Sequence, residues 1–507
     1  MAPHELHVVS LNVWGIKWIS THHTERIREI GRQLARSDPA PNIVGLQECF
    51  SSADLQAVQE ETRDILPYSK YYHSGVFGGG LAILSKWPIE ESSMTGYALN
   101  GLPWAFYRGD WYVGKGFSQT RIRIPADEDG DEEVVEVFNT HLHAPYHPPP
   151  KDVYWTHRLS QAWQLAKQLR SAVSDSSVSL VLGLGDFNSR PLSMPHKIIE
   201  RHGRMKDAWL QLHPQSAAEE PEGSSIIVDI DPPRERTSSI EPAADLELRR
   251  PGHHIPTVRA AIEDLGMTCD SGYNTWRWSK PVRKQLKKNA VIIPDETPDP
   301  RAKRLDYVFY ADGAKSSVAK HSPGVQGWTV GSAKVGMTAT HPTLNCSLSD
   351  HFSVEVTLVR AANNEAQSSR QSHSADGSDT SSHSLPDKST SPPQGDTPKY
   401  LSVSDYSSIL SHITRWRSRQ QQQRRLRLGH LVAQFFIAIG CLVSVWFSPR
   451  NFVSFILMLV STLGLAAGVL DGIQGGLFVS SELNALTEFE WDVSAVLDRA
   501  GAPPAFK

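Results

Sequence analysis

Two long uncharged stretches near the C-terminus restrict the architecture of this chain more than any other feature. Residues 428–449 and 452–470 contain no Asp, Glu, Lys or Arg, and only the turn around Pro449 separates them. About 20 helical residues span a bilayer core of roughly 30 Å, so each stretch is long enough to cross a membrane. The pattern predicts a transmembrane helical hairpin over residues 428–478. A helix pair buried in a soluble core and a re-entrant hairpin are the alternatives.

The charges around the first stretch predict its orientation. Six arginines precede it, whereas the turn holds only Arg450; the six are Arg415, Arg417, Arg419, Arg424, Arg425 and Arg427. The positive-inside rule places the arginine side in the cytosol, and two crossings return the C-terminus there. The endoplasmic reticulum, the mitochondrial outer membrane and the plasma membrane all fit. The arginines could also bind anionic phospholipids, at about 1 kcal/mol each. Gly464, Gly468 and Gly472, spaced by four, would let the two helices pack closely.

The rest of the chain divides by composition. Residues 1–360 are predicted to form one catalytic domain, in which the polar residues 215–254 are a surface insertion. Residues 361–414 are rich in Ser and Pro and predict a disordered tether, followed by an arginine-rich juxtamembrane segment at 415–427. Residues 479–507 are predicted to be an acidic cytosolic tail.

Overall charge and cysteine content exclude several functional classes. The net charge is −4, from 51 basic and 55 acidic residues, so no basic field indicates a nucleic-acid partner. The four cysteines are widely scattered, which excludes a disulfide framework and a cysteine-rich zinc site.

Residues 1–360 alternate predicted strands with predicted helices, which is typical of an α/β or α+β sandwich with a large buried sheet. The strands are predicted at residues 6–12, 42–48, 80–85, 134–141, 179–187, 304–310 and 351–359. Helical spacing of apolar residues predicts helices around Ile27–Leu34 and around Leu159–Leu169.

Polar side chains stand at the ends of several of these strands. Asn12 and Glu48 end the first two, His141 ends the fourth, and Asp186 and Asn188 follow the fifth. Further along the chain, Asp306 lies inside a strand, and Asp350 and His351 precede the last one. One such residue could be a satisfied buried polar group or a helix cap, but recurrence at many strand ends favours a common site.

The residue types indicate the chemistry of that site. Carboxylate and amide oxygens are the ligands that Mg²⁺ prefers, and histidines can act as a base or as a phosphate partner. The sequence has no nucleophile elbow, no Gly-Lys-Ser phosphate loop and no Cys/His zinc spacing. This combination favours hydrolysis of a phosphate ester by activated water.

The ordered motifs LNVWG, GLQE, NTHLHAPY, GDFNSRP, LDYVFY and SDHFSVEV resemble the endonuclease/exonuclease/phosphatase superfamily typified by DNase I. This resemblance implies a four-layer α/β (α+β) sandwich over most of residues 6–359. NVWGIKWIS, the segment THLHAPYHPPPKDVYWTHRLSQAWQLA and the C-terminal apolar pair are similar to the neutral sphingomyelinase family. Within that family the chain most resembles the fungal inositol phosphosphingolipid phospholipases C.

The resemblance also implies roles for individual residues. Glu48 would be the principal Mg²⁺ ligand, with Asn12 and Asp350 supporting the metal. His351 would be the general base, held by Asp306, while Asp186 would orient the attacking water. His141 and Asn188 would contact the phosphate. Asp110 and Lys115 would form an activation switch in a flexible loop; an ordinary exposed ion pair is the alternative.

The function that the resemblance implies is a Mg²⁺-dependent, membrane-anchored phospholipase C acting on inositol phosphorylceramides, sphingomyelin or both. The alternatives are a nuclease of the same superfamily and an inactive, membrane-tethered interaction protein. An aromatic cluster precedes Asp110 and could be part of the core or a lipid-facing lip. Its members are Trp104, Phe106, Tyr107, Trp111 and Tyr112.

Overall fold

The computed structural model describes residues 5–16, 19–125, 132–146, 152–217, 255–286, 292–319, 327–360 and 400–500. Within these ranges the chain forms two six-stranded sheets. The strands are β1 (Glu5–Asn12), β2 (Ile43–Gln47), β3 (Tyr68–Tyr72), β4 (Leu81–Ser85), β5 (Ile89–Gly96), β6 (Gly116–Ile124), β7 (Glu133–His141), β8 (Leu180–Asp186), β9 (Lys206–Asp207), β10 (Asp306–Asp312), β11 (Trp328–Gly336) and β12 (Ser353–Arg360). All seven predicted strands are present; β3, β5, β6, β9 and β11 were not predicted.

The first sheet has the strand order β11-β12-β1-β2-β4-β3, and the second has β5-β6-β7-β8-β10-β9. One central pair in each sheet is parallel, β1 with β2 and β7 with β8, and the other neighbours are antiparallel. The apolar residues between the sheets come from both, so the two sheets pack face to face.

Some of the helices cover the outer faces of the two sheets, and others form the C-terminal part of the chain. They are α1 (His23–Arg36), α2 (Ser52–Thr62), α3 (Asp110–Val113), α4 (Trp155–Val173), α5 (Met194–Lys197), α6 (Ala208–Leu212), α7 (Val258–Glu263), α8 (Lys280–Gln285), α9 (Ala314–Ala319), α10 (Val403–Val445), α11 (Asn451–Ile473) and α12 (Val479–Arg499). α1 and α2 share a buried cluster with the first sheet, and α4 shares one with the second. The helix–sheet–sheet–helix arrangement confirms the predicted four-layer sandwich.

The two-residue period of the strands explains where the polar side chains go. Leu6 and Val8 of β1 face the second sheet, and Leu182 and Leu184 of β8 face the first sheet. Alternate residues of a strand lie on one face, so Asn12 continues the inner row of β1 and Asp186 that of β8. The candidate site therefore lies where the seam between the two sheets opens, at the ends of the parallel strand pairs.

α10 and α11 form the predicted antiparallel hairpin. Both are long and apolar enough to cross a membrane, and only 6% and 11% of their most apolar stretches are buried. The helices approach closely along the glycine row that the sequence singled out. A Cβ atom added to Gly468 would lie 2.7 Å from Cβ of Gln434, and one added to Gly472 would lie 2.6 Å from Cδ2 of Leu431.

One predicted boundary differs from the structure, and the acidic tail has a structure that was not predicted. The tether was expected to extend to residue 414, but α10 begins at Val403, where Ser402 and Asp405 form a capping box. Residues 361–399 and the insertion at 218–254 lie outside the described residues. The acidic tail after the hairpin is also a packed helix, since Leu486 and Val493 of α12 are buried against α4 together with Ile413 of α10.

Candidate active site

Asn12 and Glu48 meet at the ends of the adjacent parallel strands β1 and β2. The Asn12 amide nitrogen lies 3.3 Å from Oε1 of Glu48 and 3.2 Å from Oδ2 of Asp186. Its amide oxygen accepts a hydrogen bond from the backbone N–H of Trp14, 3.0 Å away, which fixes the orientation of the amide. Asn12 therefore links the carboxylates of the two sheets.

The tight turn that follows β8 fixes the position of the Asp186 carboxylate. Gly185 has φ 146°, and a Cβ atom there would lie 2.0 Å from the carbonyl oxygen of Thr140, so only glycine fits. The backbone N–H of Asn188 donates to Oδ1 of Asp186 at 2.8 Å, and the Asn188 side chain donates to the carbonyl of Leu142 at 3.1 Å. The turn holds Asp186 Oδ2 toward the seam.

His351 and Asp306 form a buried pair opposite Asp186. Nδ1 of His351 lies 2.8 Å from Oδ2 of Asp306, and Nε2 lies 3.9 Å from Oδ2 of Asp186. Burial alone would lower the pKa of His351, but Cys269, Asp306 and Asp186 raise it well above its ordinary value. With Nδ1–H bonded to Asp306, Nε2 is the atom that faces the site.

His141 approaches Asp186 from β7. Its Nε2 atom lies 3.5 Å from Oδ2 of Asp186, in register with it across the β7–β8 pair. Burial lowers the pKa of His141 well below its ordinary value, and the positive charge of Lys115 adds to this effect. His141 is therefore neutral near pH 7 and retains one N–H that can donate a hydrogen bond.

The acidic groups of the site are suited to a cation. Burial, together with repulsion from Asp350, raises the pKa of Glu48 to about 7. Burial and Asp306 raise that of Asp186 to about 6. Oε2 of Glu48 is buried and has no hydrogen-bond partner among the described residues. Such an orphaned carboxylate oxygen is costly unless a cation binds it, so the donor set fits Mg²⁺.

The family resemblance implies Glu48, Asn12 and Asp350 as the residues that would hold that ion. One cluster with metal-binding potential comprises Asp186, Asp306 and His351, whose ligand atoms lie within 4.8 Å of one another. Oδ2 of Asp306 already accepts hydrogen bonds from His351 and from the Thr268 hydroxyl, at 2.8 and 2.5 Å. These bonds favour a base-orienting role for Asp306 over metal ligation.

Asp110 and Lys115 pair beside this site, but they are not the exposed ion pair that the sequence left open. Nζ of Lys115 lies 3.5 Å from Oδ1 of Asp110 and 3.0 Å from the carbonyl oxygen of Leu142. Asp110 is 6% exposed and Lys115 5%. Because Lys115 also influences the pKa of Glu48 and that of Asp186, its charge reaches the candidate catalytic groups.

The structure adds residues that sequence reasoning missed. Tyr146 donates to Oδ2 of Asp110, and Nε2 of His143 lies 3.5 Å from the same oxygen. Tyr146 and His143 both lie within the motif NTHLHAPY. Arg26 is fully buried under the site loops and donates to the carbonyl oxygens of Trp14 and Leu348. Its place on the apolar stripe of α1, four residues before Ile30, was a signal in the sequence.

Comparison with known proteins assigns the chain to a family. The model of the Endonuclease/Exonuclease/phosphatase family matches residues 9–351. This chain belongs to that family. Among the similar proteins, the inositol phosphosphingolipids phospholipase C of Schizosaccharomyces pombe is 36% identical to the chain, over 96% of the chain and 92% of that protein. The protein of the same name from Saccharomyces cerevisiae is 28% identical, over 96% of the chain and 88% of its own length.

The chain is also similar to human sphingomyelin phosphodiesterase 2. That protein is 31% identical over 44% of the chain and 49% of its own length. The resemblance drawn from the sequence motifs is thus confirmed at both levels, the wide superfamily and its sphingolipid-cleaving branch. The matched span contains Glu48, Asp186 and His351, which the structure brings to one site.

Proposed function

We propose that the chain is a Mg²⁺-dependent phospholipase C that cleaves sphingolipid phosphodiesters into ceramide and a phosphorylated head group. The observation that carries the proposal is the His351–Asp306 pair facing Asp186, with Asn12 and Glu48 beside it. A positioned base, a water-orienting carboxylate and an oxygen-rich metal site are the requirements for direct attack of water on phosphorus.

Each residue of the site has a separate role in the proposed reaction. Asp186 holds the attacking water, and Nε2 of His351, in the neutral form of the ring, takes the proton of that water while Asp306 stabilises the resulting imidazolium. His141 and the Asn188 amide donate hydrogen bonds to phosphoryl oxygens as negative charge builds on them. Glu48, Asn12 and Asp350 would hold Mg²⁺, which when bound neutralises charge on the phosphate and on the leaving alkoxide.

The substrate class rests on the relatives. Two relatives that align with 96% of this chain, including its C-terminal helices, are named inositol phosphosphingolipids phospholipase C. The human sphingomyelin phosphodiesterase aligns with 44% of the chain. This difference favours inositol phosphorylceramide over sphingomyelin as the preferred substrate.

We also propose that α10 and α11 anchor the enzyme in the bilayer that contains its substrate, with the catalytic domain and α12 in the cytosol. The arginines before the hairpin support this orientation. Arg417 pairs with Glu490 at 2.5 Å, and Arg427 pairs with Asp471. The exposed Arg415, Arg419, Arg424 and Arg425 would bind anionic phospholipids.

The test is release of the water-soluble phosphorylated head group from inositol phosphorylceramide and from sphingomyelin. Both lipids would be presented in mixed micelles with anionic lipid, in Mg²⁺ or in EDTA. Mg²⁺-dependent release that is lost in His351→Ala supports the proposal, and the ratio of the two rates gives the head-group preference. Nicking of plasmid DNA without lipid hydrolysis would make the chain a nuclease. Inactivity of the folded protein on all three would make it a tethered non-enzyme.

A further inference from the structure

Two loops at the active-site end of the sandwich carry exposed apolar side chains. Val76 and Phe77 lie between β3 and β4, and Phe106 and Tyr107 form a short helical turn before α3. Their exposed fractions are 73%, 64%, 72% and 72%. We call these four residues the lip. Exposed aromatic groups of this size are unfavourable in water, by about 25 cal/mol for each Å² of apolar surface.

The two loops are fastened to each other. The backbone N–H groups of Val76 and Phe77 donate to the carbonyl oxygen of Tyr112, at 2.7 and 3.2 Å. The Tyr112 hydroxyl in turn donates to the carbonyl oxygen of Pro103, at 2.9 Å. The lip is therefore one ordered surface and not two independent loop tips.

The lip is joined to the base of the helical hairpin. The rings of Trp111 and Phe478 are 5.3 Å apart, and the guanidinium of Arg427 lies 4.3 Å above the ring of Trp104. Arg427 directly precedes the first apolar stretch, and Phe478 follows the second after one irregular turn. A charged arginine stays at the membrane–water interface, so these contacts place the lip loops at that same depth.

The lip also borders the candidate active site. Asp110 begins α3 three residues after Tyr107, and Arg108 lies over the ring of Tyr146, which donates to Asp110. A cavity of about 410 Å³ has Val76 and Trp111 in its wall, together with Lys115 and the hairpin-base residue Phe478. A surface that rests on the bilayer here would bring the Lys115 side of the site to lipid level.

We infer that the lip is a membrane-contact surface that inserts its aromatic side chains into the interfacial layer of the bilayer in which the hairpin is embedded. The partner is a lipid surface, because the lip is continuous with the ends of two apolar helices at one depth. The inference rests on the proposed function for the insertion of the hairpin. It adds that the catalytic domain touches the bilayer by itself and presents the scissile phosphate to the site.

The first test measures depth without relying on activity. The full chain carrying Tyr107→Cys is labelled with a nitroxide and reconstituted in liposomes, and collisions with oxygen and with a water-soluble nickel chelate are compared. Leu463→Cys on the exposed face of α11 is the lipid reference, and Tyr68→Cys at the opposite end of the sheets is the aqueous reference. The unsubstituted chain, labelled in parallel, gives the background from the four native cysteines.

A label at 107 that reports lipid, with 463 in lipid and 68 in water, supports the inference. A label at 107 that reports water while 463 reports lipid would overturn it and leave the anchoring intact. Water at both 107 and 463 would overturn the proposed anchoring and the lip with it.

The second test separates membrane contact from damage to the nearby site. Phe106→Ser/Tyr107→Ser is assayed on substrate in liposomes and on a dispersed short-chain analogue, beside Val76→Ser from the other loop and Tyr68→Ser as the matched control. We expect the double variant to lose roughly tenfold on liposomes, and Val76→Ser less, with rates on the dispersed analogue unchanged. Equal losses on both substrates, or none on liposomes, would overturn the inference.

Discussion

The ammonium group of Lys115 and the carboxylate of Asp110 form an ion pair that is almost completely buried, with Nζ and Oδ1 3.5 Å apart. Asp110 has two further partners, Tyr146 and His143, whereas Lys115 makes a hydrogen bond to the Leu142 carbonyl oxygen. Leu142 directly follows His141, so the lysine is held beside the residue that we propose contacts the phosphate.

Replacement of this lysine tests its catalytic role. We expect Lys115→Ala to lower turnover by at least about 100-fold, because a positive charge near the developing phosphate charge is lost. The chain should still fold, since Asp110 retains Tyr146 and His143. Lys167→Ala removes an exposed lysine that pairs with Asp492 at 2.6 Å and serves as the control. Full activity of Lys115→Ala, with a lowered melting temperature, would show that the pair is purely structural.

Substitutions of His351 and Asp306 test their proposed roles as general base and positioning residue. His351→Ala should lose about 10²–10⁴-fold in kcat, and Asp306→Asn should lose less, because the imidazole remains present but is no longer held by a carboxylate. His196→Ala is a matched control, since His196 is also buried and bonded to a carboxylate, Asp207, at 3.0 Å outside the site. Comparable losses of kcat per folded molecule in all three variants would argue against a special role for His351.

Substitution of Glu48 tests whether the activity depends on a bound metal ion. Glu48→Gln keeps the shape of the side chain but removes the negative charge, so we expect half-maximal activity to require a markedly higher Mg²⁺ concentration. Glu136 on β7 is another buried carboxylate, and it pairs with Arg121 at a distance of 2.9 Å. Glu136→Gln is the control and should leave the Mg²⁺ titration unchanged. Full activity of the unsubstituted chain in EDTA would contradict a metal-dependent mechanism altogether.

The sequence predicted the central part of the fold because its signals are local. The seven predicted strands are apolar runs in or near the sheet centres, and their polar ends converge because parallel strands end at one edge. Strands β3, β5 and β11 escaped prediction because they lie at the sheet edges, where one side is solvated and polar residues interrupt the apolar pattern. β6 alternates apolar and polar residues but is rich in Ser, Thr, Gln and Arg.

Partners that are distant in the sequence have no local signature. The pairing of His351 with Asp306, 45 positions away, was implied only by the family resemblance, and the hydrogen bond from Thr268 to Asp306 was not predicted. The packing of α12 on α4 was missed for a similar reason. Its acidic residues were interpreted as a soluble tail, although Leu486, Phe489 and Val493 form an apolar stripe with helical spacing.

Substitutions in the glycine row of α11 test whether close helix–helix contact stabilises the hairpin. Gly468→Leu would place its Cβ atom 2.7 Å from Gln434 and force the helices apart, whereas nothing lies within 4 Å of a Cβ atom added to Gly440. In a bilayer such close contacts contribute much of the helix–helix stability. We therefore expect Gly468→Leu, but not Gly440→Leu, to lower the melting temperature of the full chain in detergent. Equal stability of the two variants would show that the hairpin does not depend on this contact.

Ionisation of Glu482 should make the stability of the folded chain depend on pH. This residue lies on α12, outside the two apolar spans, and is buried where α12 meets α10 and α4. Its Oε1 atom accepts a hydrogen bond from the Trp416 indole at 2.7 Å. Burial raises its pKa from 4.5 to about 7, although the bond from Trp416 acts in the opposite direction. The folded state therefore binds a proton that the unfolded state has released at neutral pH.

Linkage sets the sign of the effect. The stability that protonated Glu482 contributes is complete below pH 4.5 and is lost as the pH rises through about 7. A shift of this size corresponds to about 3 kcal/mol across that window. Glu482→Gln keeps an acceptor for Trp416 but cannot ionise, so its stability relative to the unsubstituted chain should increase between pH 5 and pH 8.

The measurement is the difference in melting temperature between Glu482→Gln and the unsubstituted chain in detergent at pH 5 and at pH 8. The difference removes the contributions of Glu48 and Asp186, which are present in both proteins. Trp416→Phe supplies an opposite perturbation, because without the indole donor the pKa of Glu482 rises further and the loss of stability extends to higher pH. A difference between Glu482→Gln and the unsubstituted chain that is the same at both pH values would mean that Glu482 is hydrated in solution. The junction between the C-terminal helices and the catalytic domain would then be more open than the buried carboxyl indicates.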